Sequence, residues 1–280
     1  GDRYRETCRK NIEDFLMPLE LIGAVEDILR QVEERTGKEI EFVEKKDLPM
    51  SAELRTAAKD ETMHRLFHRP AYDEQINYVI ANQCGHILRL FGVPDEQRFM
   101  PIANYRTMMS YVMEMGDEFQ RLVKVFGPEK IKRMVRLWYE GVVFQLTKMP
   151  PDIMIDKWLY DEYPELRPIQ LPSLIRQRQE AVQSLAQDTR KFTPDKIYRV
   201  SSIMNYAFFK VLEDHFRLDW VAPWHSTIFI FDGSALAKVT KNDYVNNHAG
   251  DRAMIDAWAK RLGLTTWFEW KPLLTISTKH

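Results

Sequence analysis

The chain has 280 residues, 45% of them hydrophobic and 29% charged, with 40 basic and 41 acidic side chains for a formal net charge of -1. That length buries a large core without a disulfide or a metal, and the balance excludes a disordered polymer and a generally basic nucleic-acid surface. Two cysteines, Cys8 and Cys84, give no disulfide framework, and no run approaches the roughly 20 apolar residues of a membrane span.

The opening GDRYRETCRK has no apolar signal core, so a soluble protein of the reducing cytoplasm is expected. Apolar positions at Phe15, Leu16, Leu19, Leu21, Ile22, Val25, Ile28, Leu29 and Val32 predict amphipathic helix on either side of Pro18, ended by Thr36-Gly37-Lys38. Residues 39–43 read as a strand, and MHRLFHRP predicts a second one over 63–68, stopped at Pro70. Asp73 is placed to cap a helix that runs to about Phe91, with Ile76, Val79, Ile80, Ile87 and Leu90 on its buried face.

Beyond Gly92-Val93-Pro94 the chain reads as helices over 105–114, 117–125, 128–146, 152–160, 172–187 and 195–215. Residues 226–231 and 235–239, around Asp232-Gly233-Ser234, read as a β-hairpin before a closing helix over 251–261. The expected fold is therefore α+β and mostly helical, with a small sheet of 39–43, 63–68 and one more strand. Residues 1–192 are expected to form the main domain and 193–280 a C-terminal extension.

The helix over 73–91 contains YVIANQCGHILRLF, an apolar run with Asn82, Gln83, Cys84 and His86 at its centre. Asn82 and His86 are one helical turn apart and project to the same side. On its own, a His on such a helix reads as a hydrogen-bonded core residue. The strand MHRLFHRP, its immediate entry into an apolar helix, and Gly85-His86-Ile87-Leu88 together resemble the ImmA/IrrE-like zinc metallopeptidases of bacteria. That family carries His-Glu-x-x-His on a buried helix preceded by an edge strand.

The resemblance implies a zinc site in which His86 is a ligand, Asn82 stands at the first His position and Gln83 at the general-base Glu. A metallopeptidase needs that carboxylate to take a proton from metal-bound water, and Gln cannot, so hydrolysis is expected to be impaired, by natural loss or by an engineered Glu-to-Gln change. The family's third ligand is an acid from a later helix. WYEGVVFQLTKMPPD offers Glu140, four residues before Phe144, and Asp152 and Asp156 stand as substitutes, with a helix cap and a solvated acid as their other reading.

His64 and His68 share one face of the predicted strand, where they either help bind metal or substrate or form a half-exposed strand face. That strand is expected to pair with an extended protein or peptide substrate, and an activating partner is conceivable. The alternative is a non-catalytic interaction module that keeps the peptidase scaffold and binds a protein partner. The basic stretch at Lys124, Lys130, Lys132, Arg133 and Arg136 reads as a solvated helix face rather than a nucleic-acid site.

Overall fold

The computed structural model describes residues 20–48, 51–57, 61–70 and 75–275, so the expected helix before residue 20 and the Asp73 cap lie outside the described residues. Helix α1 (Gly23–Thr36) buries Val25, Ile28, Leu29 and Val32 along one stripe. It ends at Gly37, whose φ of 67° is a left-handed conformation that glycine adopts without steric cost.

Strands β1 (Glu39–Glu44), β2 (Ala52–Arg55) and β3 (Met63–His68) form one sheet in the order β1-β3-β2. β1 runs parallel to β3, with Ile40 opposite His64 and Phe42 opposite Leu66, and β2 runs antiparallel, with Leu54 opposite Leu66. The strand over 63–68 is thus central, not an edge, and cannot receive a further strand. The edge beside the polar helix is β2, only four residues long.

Helix α2 (Gln75–Leu90) lies on this sheet and shares a core with it and with α1, through Ile76, Ile80, Cys84 and Ile87 against Ile40, Ala52 and Leu66. After β4 (Phe99–Ile102) come α3 (Tyr105–Glu114), α4 (Gly116–Phe126) and α5 (Pro128–Glu162). The 35 residues of α5 span about 50 Å at the usual helical rise. α5 does not stop near Leu146 but runs through Pro150 and Pro151, both buried. Each proline removes an amide donor and by itself disfavours a helix interior by about 3 kcal/mol, so burial of Leu146, Met149, Ile153 and Ile155 around the pair outweighs local propensity.

Helices α6 (Arg167–Gln183), α7 (Gln187–Phe192), α8 (Asp195–Phe216), α9 (Ile230–Asp243) and α10 (His248–Leu262) follow, and β5 (Glu269–Pro272) pairs antiparallel with β4. The fold is α+β, mostly helical with a small mixed sheet. In place of the expected hairpin over 226–239 the chain makes a turn at 226–229 and then enters α9. Gly233, which suggested a turn, is a close-approach residue: a Cβ there would lie 2.4 Å from the Tyr206 ring on α8.

Among the described residues, packing continues across residue 193. Tyr111, Leu146, Phe208, Trp224, Trp258 and Trp267 belong to one cluster, drawn from both sides of that position. No described helix is long and apolar enough to cross a membrane.

Candidate functional site

Two helices supply the site, each with polar side chains at four-residue intervals. α2 contributes Tyr78, Asn82 and His86; α5 contributes Lys148, Asp152 and Asp156. In a helix such positions stack on one face, so two facing stripes make a ladder. Tyr78 Oη donates to Asp156 Oδ1 at 2.7 Å, Asn82 Nδ2 donates to Asp152 Oδ1 at 3.2 Å, and His86 Nε2 lies 2.7 Å from the same oxygen. Gly85 sets the approach of the two helices, because a Cβ there would meet Ile155 at 2.6 Å.

The ladder buries charge, and its protonation follows. Burial, then the neighbouring Asp152 carboxylate, raises the Asp156 carboxyl from 3.8 to about 8, against the hydrogen bonds from Tyr78, Gln170 and Asn82. Gln170 also donates to the Asp156 backbone carbonyl at 2.8 Å. Burial, followed by the charge of Lys148, lowers His86 below the usual histidine range, with Asp152 opposing. The His86–Asp152 contact at neutral pH is therefore a hydrogen bond from a neutral imidazole, Nε2–H donating. Burial likewise lowers the Lys148 ammonium, partly offset by Asp152.

Gln83 turns away from the ladder toward the sheet. Its Nε2 donates to the Ala52 carbonyl at 2.8 Å, and its Oε1 accepts from the Leu54 amide. One carboxamide thus pairs with a donor and an acceptor two residues apart on β2, as a neighbouring strand would.

His64 is fully buried. Its Nδ1 accepts from the Ala57 amide at 2.9 Å, which places the proton on Nε2, 3.0 Å from Thr36 Oγ1. Burial, then Lys38, lowers its pKa to about 4, so it is a neutral core residue away from the ladder. His68 Nδ1 lies 3.0 Å from the Arg69 carbonyl on the exposed end of β3. Neither reaches His86's partners.

Of the three acids considered as ligands, Asp152 meets His86 and Asn82, and Asp156 sits one turn further along against Tyr78. Glu140 does not come to the site. It lies on the same helix roughly 18 Å from Asp152 by helical rise, its side chain 47% exposed and paired with Arg136 at 2.7 Å. Tyr78, Lys148 and Gln170 were not singled out from the sequence. The first two continue the four-residue steps of 82/86 and 152/156, a signal present in the chain; Gln170 comes from α6 and has none.

Below His86 the ladder ends in a latch to the C-terminal helices. Arg89 donates to both Asp251 oxygens, at 2.8 and 2.5 Å, and Tyr244 Oη adds a bond of 2.7 Å. The segment over 193–280 therefore closes one end of the site.

Zinc sites of hydrolases use three protein ligands and leave one position open. Here the converging donors are one imidazole, one carboxylate and one carboxamide, with His86 and Asp152 bonded directly to each other. No group of three or more His, Cys, Asp and Glu side chains able to hold a metal occurs among the described residues, so this donor set does not fit a catalytic zinc centre. Comparison of the chain with protein-family models, curated proteins and solved structures gives no match.

Proposed function

We propose that this chain is a non-catalytic, peptidase-like interaction module that binds a protein partner. The observation that carries the reading is the use of the motif positions: Gln83 is bonded to the β2 backbone, and Asn82 and His86 are bonded to Asp152. Three side chains that a zinc hydrolase would aim at metal and water serve here to join α2 to its neighbours.

Partner binding by strand addition belongs on β1 rather than on the central β3. Glu33 Oε1 accepts from the Ile40 amide at 3.1 Å and covers the start of that edge, but among the described residues no strand lies beyond it. Phe42 is 43% exposed there, and Glu39 and Glu44 make the edge acidic, Glu41 being paired with Arg65 at 3.3 Å. An extended, basic segment of a partner protein fits that chemistry. Cys84, a free thiol buried in α2, is compatible with the reducing cytoplasm.

The competing reading is a zinc-dependent metallopeptidase, impaired by Gln83, whose metal would sit among His86, Asn82 and Asp152. Metal analysis of protein purified without chelator separates the two, combined with a cleavage assay of the Gln83→Glu variant on unfolded protein substrates with zinc supplied. The module reading expects zinc well below one per chain, unaltered by His86→Ala, and no cleavage. Zinc near one per chain that is lost in His86→Ala, with hydrolysis switched on in Gln83→Glu, would establish the metallopeptidase instead.

A further inference from the structure

A cavity of about 190 Å³ opens beside the ladder at His86; Phe99, Met100, Ile255 and Trp270 are among its apolar lining, and Lys148, His248 and Asp251 among its polar lining. Its polar groups differ in how well they are matched. Asp251 is neutralised by the two-pronged bond from Arg89 and by Tyr244. His248 Nε2 accepts from the Phe99 amide at 3.4 Å, and burial lowers its pKa, so it is neutral. His86 donates to Asp152. Lys148 faces the cavity as its one ammonium; Asp152, one helical turn along α5, attracts it, but it makes no direct hydrogen bond or ion pair with the described residues.

A half-buried ammonium held by no direct bond has lost part of its water, and an anion arriving in the cavity would add the direct partner that Asp152 does not supply. The apolar lining selects what carries the charge. Phosphate or sulfate would bring more charge than one lysine matches and no surface for the aromatic lining, whereas a neutral apolar molecule would leave Lys148 without that direct partner. The volume lies below the roughly 300 Å³ at which drug-sized pockets begin, so the ligand is small.

We propose that this cavity binds a small apolar monocarboxylate, with its carboxylate on the Lys148 ammonium and its hydrocarbon body against Phe99, Met100, Ile255 and Trp270. The site is separate from strand addition at β1 and does not rest on the module reading. Burial already pushes the Lys148 ammonium down from the usual lysine range, and a bound carboxylate would push it back up.

The test is calorimetric titration of the full chain with benzoate, alongside benzyl alcohol, which keeps the ring and loses the charge, and inorganic phosphate, which keeps charge and loses the ring. Saturable one-to-one binding of benzoate is expected, with both controls weaker by about tenfold or more. Lys148→Met, which retains the apolar stem, should weaken benzoate by about 10- to 100-fold and leave benzyl alcohol unchanged. Absence of benzoate binding, phosphate binding as tightly as benzoate, or unchanged benzoate affinity in Lys148→Met each overturns the proposal. If Lys148→Met does not fold, the ranking of the three probes on the unaltered chain decides it.

Discussion

Toward β2, helix α2 presents Gln83, a neutral side chain whose donor meets a carbonyl and whose acceptor meets an amide. Toward α5 it presents Tyr78, Asn82 and His86 to two carboxylates and a lysine, all converging on a few oxygen atoms. Both sides bury polar groups, but only the second buries charge. The sheet side behaves as secondary structure, each dipole matched, and requires no change of protonation. On the α5 side the groups outnumber their direct bonds, so Asp156 takes up a proton, His86 gives one up, and the Lys148 ammonium has only the attraction of Asp152 across a helical turn. Mutations that act on one side only should therefore give different signatures.

The largest effect is expected at the foot of the charged side. Arg89→Ala leaves Asp251 buried without its guanidinium, and breaking a buried pair typically costs about 3 to 5 kcal/mol. Urea unfolding should show that loss. Hydrogen exchange should show faster opening of α10, which the latch joins to α2.

Next comes the pH response of Asp156. Its folded pKa of about 8 lies above the ordinary 3.8, so the folded chain holds a proton that the unfolded chain releases between those values. The associated stability is complete below 3.8 and is lost as pH rises through 8. Relative to the unaltered chain, Asp156→Asn should gain stability progressively between about pH 4 and pH 8, several kcal/mol in all. His64 has the opposite sign. Its pKa falls from 6.5 to about 4, so its stability is present above 6.5 and lost as pH falls through 4. A His64→Gln difference curve should slope the other way, and two curves of the same sign would contradict the assignment of a neutral buried acid on one side and a neutral buried base on the other.

Gly85→Ala sharpens the comparison from the packing side. The added Cβ meets Ile155, forcing α2 and α5 apart at the ladder while leaving the sheet side untouched; overpacking of this kind costs about 2 kcal/mol. The pH slope assigned to Asp156 should flatten in the same variant, since separation admits water. Thermal unfolding at several pH values measures both.

These two sides were unequally legible in the chain. The polar centre at 82 and 86 and the acids at 152 and 156 could be found because helical spacing is local information, and the structure brings Asn82, His86 and Asp152 together. Tyr78 and Lys148 obey the same step but look like an ordinary core aromatic and an ordinary surface cation. Which strand lies next to Gln83 was not readable: sheet order depends on contacts far apart in sequence, and β2 is too short to announce itself. Pro150-Pro151 and Gly233 signalled a break and a turn by local rules, and burial around α5 and close packing of α9 on Tyr206 overrode both.

The smallest effect is the one that bears most directly on the sheet side. Gln83→Glu keeps the shape but replaces the N–H that meets the Ala52 carbonyl with a second acceptor. One bond, from the Leu54 amide, survives; the other becomes a repulsion between oxygens. At a half-buried position this should cost about 1 kcal/mol at neutral pH. Protonation of the new carboxyl restores a donor toward Ala52, so its folded pKa should be raised, and by linkage the deficit should vanish at acid pH and return as pH rises through that raised value. Gln83→Leu, which can neither donate nor accept, should be destabilised at every pH with no such recovery. If the Glu variant were instead as stable as the Gln form at neutral pH and less stable in acid, its carboxylate would be facing a cation rather than the Ala52 carbonyl. Position 83 would then belong to the charged side of α2 after all.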